Sequence, residues 1–254
     1  KNDLKNEDGT TVKIADKLKN LYVESAGTTY KGNNIRNIIY TWISNAGELN
    51  SLQRVAENLN GRDALSYNYI LKNDIDASGL VNAAGNSTYN TIGRGTKAFT
   101  GTFDGDGHTI VGLQAKGGIF GKLGSGAVVK NINIASSVFT GNTSDSVGAV
   151  AAENNGGSIS GISGYGNTIK GSDGYIGGLV GKNYGDISNS NDHSTVIAGE
   201  GTVAGGIAGV NGTKEGIGGT IDNVQSNSAV TTGDLVGNQY ADCLLYTSDA
   251  ADEE

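Results

Sequence analysis

The side chains best suited to chemistry in this sequence lie in one short segment. Asp104 and Asp106 flank a glycine, and His108 follows two residues later. Paired carboxylates can serve as the acid and base of polysaccharide cleavage, and their oxygens can also bind Ca²⁺. Ca²⁺ needs about six or more oxygens, however, and the distal glutamate of an EF-hand is missing. We interpret Asp104-Gly-Asp106-Gly as a tight turn whose carboxylates bond to their own backbone, with Ca²⁺ binding and catalysis as the weaker alternatives.

Other catalytic patterns are missing from the sequence. The two histidines, His108 and His193, are far apart, and no His-Glu-x-x-His motif occurs, which argues against a zinc protease centre within these residues. The single cysteine, Cys243, lies in an atypical C-terminal segment, so a thiol nucleophile is not expected. No glycine-rich stretch continues into Gly-Lys-Ser or Gly-Lys-Thr. We therefore predict no catalytic residues and no cofactor.

Aromatic side chains could form a binding surface of another kind. Tyr165 and Tyr184 follow turns that we take to be equivalent in adjacent copies of the repeat described next. If the turns are equivalent, the two rings would stack into an aromatic track that could bind sugars. Trp42 and Tyr175 are further candidates for sugar binding. Packing at the corners of the fold is the preferred interpretation, so Tyr165 and Tyr184 stand as a candidate ligand surface only.

The residues above belong to a chain whose central part repeats one unit about five times. The copies begin at Gly117, Gly148, Gly177, Gly205 and Gly233, at steps of 31, 29, 28 and 28 residues. Typical starts are Gly-Gly-Leu-Val-Gly and Gly-Gly-Ile-Ala-Gly. A fixed period of this length indicates a solenoid, in which each unit buries its apolar face only against its neighbours.

Each copy has three short β-branched stretches separated by Gly, Asn, Ser or Asp. They are too short for helices and predict strands, and three strands with three turns suit one coil of a parallel β-helix. The chain has 42 Gly and no Pro, as expected where every strand amide is needed for a ladder. We predict an all-β fold, a parallel and right-handed β-helix with about 28–31 residues per coil. Asparagines near the coil corners should form hydrogen-bonded ladders: Asn131, Asn183, Asn189, Asn211 and Asn223.

One segment before the repeats predicts a helix. From Asn45 to Asn60, apolar residues including Leu49 and Leu52 fall on one face. Asn45 is a suitable N-cap, Glu48 would complete a capping box, and Gly61 would end the helix. We expect this short helix to cover the open end of the stack, since an uncovered end would expose strand edges.

Composition excludes several classes of function. The net charge is −8, and no arginine follows Arg94, so a nucleic-acid surface with clustered basic residues is not expected. No apolar run approaches the roughly 20 residues that span a bilayer. We predict no nucleic-acid partner and no membrane span in these residues.

The sequence predicts four regions. Residues 1–41 are the unassigned tail of a preceding module, 42–116 are helix-capped irregular first coils, and 117–242 are the repeat β-helix. Residues 243–254 interrupt the repeat in mid-copy, and their coding sequence resembles a transposase-type sequencing adapter. We expect this tail to be an artefact, with a natural acidic terminus as the alternative. The chain would then be a fragment of a longer protein.

The repeat itself resembles a known motif. Residues 177–185, Gly-Gly-Leu-Val-Gly-Lys-Asn-Tyr-Gly, and residues 205–212 resemble the GLUG motif, as does 147–156 less closely. The lead-in segments 42–50, 69–79 and 99–110 are similar to those of the same proteins. The likeness is to large bacterial surface or secreted proteins of the filamentous-haemagglutinin type.

This resemblance implies a β-helical shaft, export to the outside or the cell surface, and adhesion, without a catalytic set. The expected partners are a host glycan or matrix protein and the rest of the protein's own chain. Because the same motif precedes the catalytic part of immunoglobulin-A-cleaving metalloproteases, a non-catalytic part of such a protease is the first alternative. A polysaccharide lyase or hydrolase on a β-helix is the second.

Overall fold

The computed structural model describes residues 22–25, 28–31, 40–58, 64–141, 145–199, 202–213, 218–230, 236–239 and 243–245. The chain divides into two compact units, one ending at Thr41 and one beginning at Trp42. The first contains an antiparallel pair, β1 (Tyr22–Ser25) and β2 (Thr28–Lys31), with Tyr22 opposite Lys31. The predicted helix stop at Gly61 and the last predicted repeat start, Gly233, lie outside the described residues, as does most of 1–41.

The second unit is a β-solenoid of about six turns, which confirms the predicted fold class. The repeat motif forms one parallel sheet, which we call the motif sheet. Its strands are β9 (Phe120–Leu123), β13 (Ala151–Asn154), β17 (Val180–Asn183), β20 (Ala208–Asn211) and β23 (Val236–Gln239).

The other faces of the solenoid join into one large sheet of fifteen strands. Its strands are β3 (Tyr40–Ile43), β4 (Asn68–Leu71), β5 (Ile75–Asp76), β6 (Thr102–Asp104), β7 (Thr109–Val111), β8 (Gln114–Lys116), β10 (Val128–Lys130), β11 (Asn133–Ala135), β12 (Val138–Thr140), β14 (Ser158–Ser160), β15 (Ser163–Gly171), β18 (Asp186–Ala198), β21 (Thr220–Ser226), β22 (Ala229–Val230) and β24 (Cys243–Leu245). A separate pair joins β16 (Tyr175–Gly177) to β19 (Val203–Gly205).

The register confirms the period that was read from the sequence. In the motif sheet Phe120 pairs with Ala151, Ala151 with Val180, Val180 with Ala208 and Ala208 with Val236. These are the fourth residues of the five copies, so each coil advances by the predicted step. The Leu179 amide donates to the Ile207 carbonyl at 2.9 Å, which shows that the copies hydrogen-bond directly to one another.

The number of strands per coil differs from the expected three. In the coil that starts at Gly117, the chain forms two strands, β10 and β11, where one β-branched stretch predicted a single strand. The division lies at Asn131, whose φ is +55°, a left-handed conformation that ends one strand and turns the chain into the next. Gly161, Asn189 and Asn223 occupy the same corner in later coils, also with positive φ.

The interior of the solenoid is a continuous apolar stack. Residues such as Val129, Ile159, Ile187 and Ile221 lie one above another through paired strands and are at most 1% exposed. In the first coils the stack becomes aromatic, with the ring centres of Phe99 and Phe120 separated by 5.1 Å. Each inward position is therefore covered by its equivalents in the coils on either side.

Glycines of the motif are required by close approach between backbones. A Cβ built on Gly181 would lie 2.7 Å from the Ala152 carbonyl oxygen and 2.8 Å from the Tyr175 carbonyl oxygen. A Cβ on Gly148 would lie 2.5 Å from the Leu179 carbonyl oxygen. Such distances leave no room for a side chain, so glycine at these positions sets how closely segments stack.

The predicted asparagine ladders are present. Asn183 Nδ2 donates to Asn211 Oδ1 at 2.7 Å, and Asn223 Nδ2 donates to Asn189 Oδ1 at 2.6 Å. Asn131 Nδ2 donates instead to Asp104 Oδ1. Asn154, which the sequence analysis did not single out, extends the buried ladder by donating to Asn183 Oδ1 at 2.8 Å.

The predicted helix is α1 (Ala46–Asn58), and its start follows the capping rule. The Glu48 amide donates to Asn45 Oδ1 at 3.0 Å, while Glu48 Oε2 accepts from the Ser44 amide at 2.7 Å. Leu49 and Leu52 are buried in the solenoid core. Gln53 Oε1 accepts a hydrogen bond from the Gly93 amide at 2.7 Å, so the helix is fixed to the first coils by polar as well as apolar contacts. A short 3₁₀ helix, Ala64–Ser66, follows.

We predict that Gly181→Ala destabilises the protein by about 1–3 kcal/mol, because the new methyl group meets backbone atoms that cannot move independently. Gly79→Ala is the matched control, since a Cβ there has nothing within 4 Å, and it should change stability by less than about 1 kcal/mol. Urea denaturation followed by circular dichroism measures both. Equal unfolding midpoints for the two variants would contradict the close-approach explanation.

We also predict that Asn183→Ala costs about 2–4 kcal/mol, because Asn154 Nδ2 and Asn211 Oδ1 would both lose a buried partner. Asn86→Ala provides the control on an exposed asparagine and should be nearly neutral. Thermal denaturation of the three proteins checks this. A melting temperature for Asn183→Ala within one degree or so of the control would show that the ladder contributes little.

Candidate functional site

A groove of about 430 Å³ crosses the outer face of the motif sheet. Residues of β9, β13 and β17 line it, and the irregular segment 87–95 forms one wall. Small residues, Gly121 and Ala152, lie between the larger side chains. The groove therefore exists because the motif places glycine or alanine at the fifth position of each copy, while the first coils add a wall beside it.

A ladder of charged side chains runs along this groove. Lys122 pairs in register with Glu153, and Glu153 with Lys182. Lys122 Nζ lies 3.2 Å from Glu153 Oε2, and Lys182 Nζ lies 3.3 Å from Glu153 Oε1. Burial opposes ionisation of Glu153, but the hydrogen bonds and charges of the two lysines outweigh it and lower its pKa. Glu153 is therefore a carboxylate at neutral pH, shared between two ammonium groups.

The charge of the groove is opposite to that of the chain. Four basic residues line it, Arg94, Lys116, Lys122 and Lys182, against two acidic ones, Asp145 and Glu153, whereas the chain carries −8. A concave surface with a positive balance attracts anions. The groove is therefore suited to bind an anionic molecule.

The uncharged walls of the groove are largely fixed by hydrogen bonds. Thr91 Oγ1 donates to the Lys116 carbonyl at 2.8 Å, and the buried Tyr89 hydroxyl donates to the Ile119 carbonyl at 3.1 Å. Burial raises the pKa of Tyr89 far above its ordinary value. Ser146 also lines the groove, and its buried hydroxyl has no partner within the described residues.

The candidate Tyr184 lies beside the charged ladder. Burial raises its pKa, and the nearby charge of Glu153 and the phenol of Tyr175 add to this effect. Lys182 Nζ lies 5.5 Å from the centre of the Tyr175 ring, a cation–π distance. The two tyrosines therefore surround the Lys182 end of the ladder.

The candidate Tyr165 lies elsewhere, so the structure does not join Tyr165 and Tyr184 in one aromatic track. Tyr165 is in β15, is 70% exposed and pairs in register with His193 of β18. The centres of these two rings are 6.3 Å apart, and Asn227 Nδ2 contacts His193 Nε2 at 3.0 Å. Tyr184 follows β17 of the motif sheet, whereas Tyr165 belongs to the large sheet. The turns that precede the two tyrosines are therefore not equivalent. The true neighbour of Tyr165 was available from the period, because His193 lies 28 residues further on.

The segment with Asp104 and Asp106 forms a turn in which the Asp104 carboxylate is already occupied. Asp104 Oδ1 accepts from the Asp106 amide and from Asn131 Nδ2, and Lys130 Nζ lies 3.2 Å from Oδ2. His108 contacts a different carboxylate, with Nδ1 3.1 Å from Asp74 Oδ1. These contacts favour the structural interpretation over catalysis. Within the described ranges no group of three or more His, Cys, Asp or Glu could hold a metal ion.

The groove was missed by the sequence analysis, although part of it left a signal. Lys122, Glu153 and Lys182 each occupy the sixth position of their copy. Once the register is known, alternating charges at one position predict a ladder of ion pairs. The wall at 87–95 gives no such signal, because it lies outside the repeat.

Asp192 is a carboxylate inside the solenoid. Its column contains Ile134 and Gly164 in the preceding coils, and glycine at 164 leaves the space that the carboxylate fills. Burial raises its pKa to about 6, although hydrogen bonds from Ser228 and Ser194, each 2.7 Å long, oppose the shift. The group is fully buried and is not available to a ligand.

Sequence comparison relates part of the chain to a very large protein. Over 145 residues it is 34% identical to halomucin of Haloquadratum walsbyi. The match covers 53% of this chain and 2% of halomucin. No family model matches the chain, so the GLUG resemblance stays a prediction. Among the described residues, no helix is both long and apolar enough to cross a membrane.

Structural comparison relates the fold to a crystal structure from Bacteroides ovatus, described as that of a "putative immunoglobulin A1 protease". The two chains superpose with a TM-score of 0.60 at 21% sequence identity. The likeness covers 82% of this chain and 64% of the other, slightly less than two thirds of its length. At this identity the similarity establishes the shared fold alone.

We predict that the buried Asp192 makes stability fall as pH rises. Its pKa is about 6 in the folded protein against 3.8 as an ordinary side chain, so the folded state binds more protons between these values. The stabilisation that comes from protonating Asp192 in the folded state is complete below about pH 4 and is lost as pH rises through 6. The free energy of unfolding falls by about 3 kcal/mol over this range. Asp192→Asn should therefore be more stable than the unmodified chain at pH 7.5 and similar to it at pH 4.

Urea denaturation of both proteins from pH 4 to 8 measures this dependence. Asp186→Asn, which alters an exposed carboxylate in the same strand, is the control and should follow the unmodified chain. An Asp192→Asn protein that is less stable at pH 7.5 would show that the serine hydrogen bonds outweigh the cost of burying the charge.

Proposed function

We propose that this chain is the shaft-forming part of a larger secreted or cell-surface protein, where it mediates attachment through many weak contacts. The observation that carries the proposal is the unbroken register of the motif sheet from Phe120 to Gln239. Strands paired on both sides form a stiff rod, and coils stacked about 4.8 Å apart present the same surface repeatedly. Contact through a long outer wall gives avidity without a deep pocket.

The location outside the cell is supported by the sequence similarity to halomucin. The match covers 2% of halomucin, so this chain resembles one section of a much longer protein. The GLUG resemblance of the repeats adds the expectation of a bacterial adhesin of the filamentous-haemagglutinin type. The partner in this proposal is a host glycan or a matrix protein.

A second candidate function is the non-catalytic part of a secreted immunoglobulin-A-cleaving metalloprotease. The protease name given to the Bacteroides ovatus protein favours it, although the fold alone is shared. The proposal requires a zinc-binding His-Glu-x-x-His sequence in another part of the full-length protein. Sequencing the complete gene decides between the two candidates.

A polysaccharide lyase or hydrolase is the weakest candidate. Its acid and base would have been Asp104 and Asp106, but Asp104 is held by Lys130 and Asn131. We propose that the chain is not an enzyme. Turnover of uronate or neutral polymers that is lost in Asp104→Ala would overturn this part of the proposal.

We predict that beads carrying many copies of the chain attach to mucin-coated or matrix-coated surfaces, while the free chain binds them weakly. Multivalent display should raise the apparent affinity by about 10²-fold or more. Retention under flow measures attachment, and beads carrying heat-denatured chain are the control. Beads that are retained on none of these surfaces would refute the adhesive function.

A further inference from the structure

Resting on the proposed adhesive function, we propose that the groove over β9, β13 and β17 binds an acidic saccharide through Lys116, Lys122 and Lys182. The groove combines a positive balance of charge with polar walls. The contacts of the three lysines and of the hydroxyl-bearing side chains account for the charge balance and the polar walls.

The lysines retain capacity to bind an anion. No carboxylate lies within ion-pair distance of Lys116 Nζ in the described part of the chain. Lys122 and Lys182 share the single carboxylate of Glu153, and each ammonium group has three donors. Donors therefore remain on all three side chains after the internal ion pairs are satisfied.

The walls suit hydroxyl-rich ligands. Ser87, Thr91 and Ser146 line the groove. Ser87 and Thr91 donate to the Gln114 and Lys116 carbonyls, so Ser146 is the one of the three whose proton is available to a ligand. The hydroxyl of Ser146 is buried without a partner among the described residues, and rotation about its Cα–Cβ bond would offer it to a ligand hydroxyl. An unpaired buried hydroxyl is unfavourable, so such a contact would stabilise the bound state.

A saccharide fits the groove better than an acidic peptide does. Peptides commonly bind by adding a strand to a free sheet edge or by inserting apolar side chains into pockets. Strand β13 is paired on both sides, by β9 and β17, so it offers no free edge. Ala152 and Tyr89 are the apolar side chains of the lining, which leaves no pocket for a peptide anchor.

Glu153 makes the proposal testable in both directions. Its ionised carboxylate occupies the position between Lys122 and Lys182 that an anionic ligand group would share. Removing that charge should strengthen anion binding, whereas removing a lysine charge should weaken it. A merely structural ion-pair ladder predicts no effect of either change on ligand affinity.

The test is calorimetric titration of the full chain with four probes of similar length: an oligogalacturonate, its methyl ester, a sulfated oligosaccharide and poly-glutamate. We expect the acidic saccharides to bind, with affinity that falls as salt rises, and the uncharged methyl ester to bind at least tenfold more weakly. The comparison of the carboxylated with the sulfated probe identifies the preferred anionic group.

Three variants complete the test. Lys116→Glu should weaken binding of the acidic saccharide at least tenfold, and Glu153→Gln should strengthen it severalfold. Lys170→Glu, an exposed change in β15 outside the groove, should leave it unchanged. Thermal denaturation confirms that each variant is folded, and Lys116→Gln replaces Lys116→Glu if the latter is not.

The proposal is overturned if the methyl ester binds as tightly as the acid, if no probe binds, or if poly-glutamate binds equally well with the same response to the variants. The bead assay separates this outcome from failure of the adhesive function. Lys116→Glu beads that attach like the unmodified ones would refute the groove as the adhesive site and leave adhesion standing. If the oligosaccharide binds but no beads attach, the adhesive function is refuted and saccharide binding in the groove stands.

Discussion

Close approach between neighbouring backbones at the motif glycines is the constraint on which the rest of this structure depends. Carbonyl oxygens of the adjacent coil or segment lie where side chains at Gly148 and Gly181 would project. Because a side chain at these two positions would meet those atoms, the glycines allow the coils to pack at the spacing and register of the inter-coil hydrogen bonds. The apolar stack, the asparagine ladder and the charged groove are all consequences of that register, since each consists of residues brought together one period apart.

Register also explains why interior and exterior positions follow different chemistry. An interior column must be aliphatic or must satisfy its own polar groups within the column. The buried amides meet this condition, because Asn154 and Asn183 each donate to the next asparagine and to a nearby carbonyl. The ladder starts where Leu123 ends the apolar part of the same column. Outward positions carry no such requirement, and Lys122, Glu153 and Lys182 alternate there in charge.

The sequence was sufficient for features that depend on the period and insufficient for those that depend on the path of single turns. The steps between copies predicted the pairing of Val180 with Ala208, and the capping residues predicted the start of α1. The grouping of Tyr165 with Tyr184 was wrong although the period could have excluded it, because the two tyrosines are the eighteenth and eighth residues of their copies and so lie on different faces. The groove wall at 87–95 could not be predicted from the sequence, since its position follows from tertiary contacts such as that between Gly93 and Gln53.

Asp192 shows why burial of a charge and binding of a ligand should be considered separately in a solenoid. Its raised pKa would mark a functional site in many enzymes, yet the side chain is enclosed by Ser194, Ser228 and the glycines of adjacent coils. It can alter stability with pH, but it cannot meet a ligand without opening the stack. Under the proposed function, recognition comes from the outer wall, where side chains can change without disturbing the register. The groove on the motif sheet is a place where that wall becomes concave, because glycine and alanine stand between its charged residues.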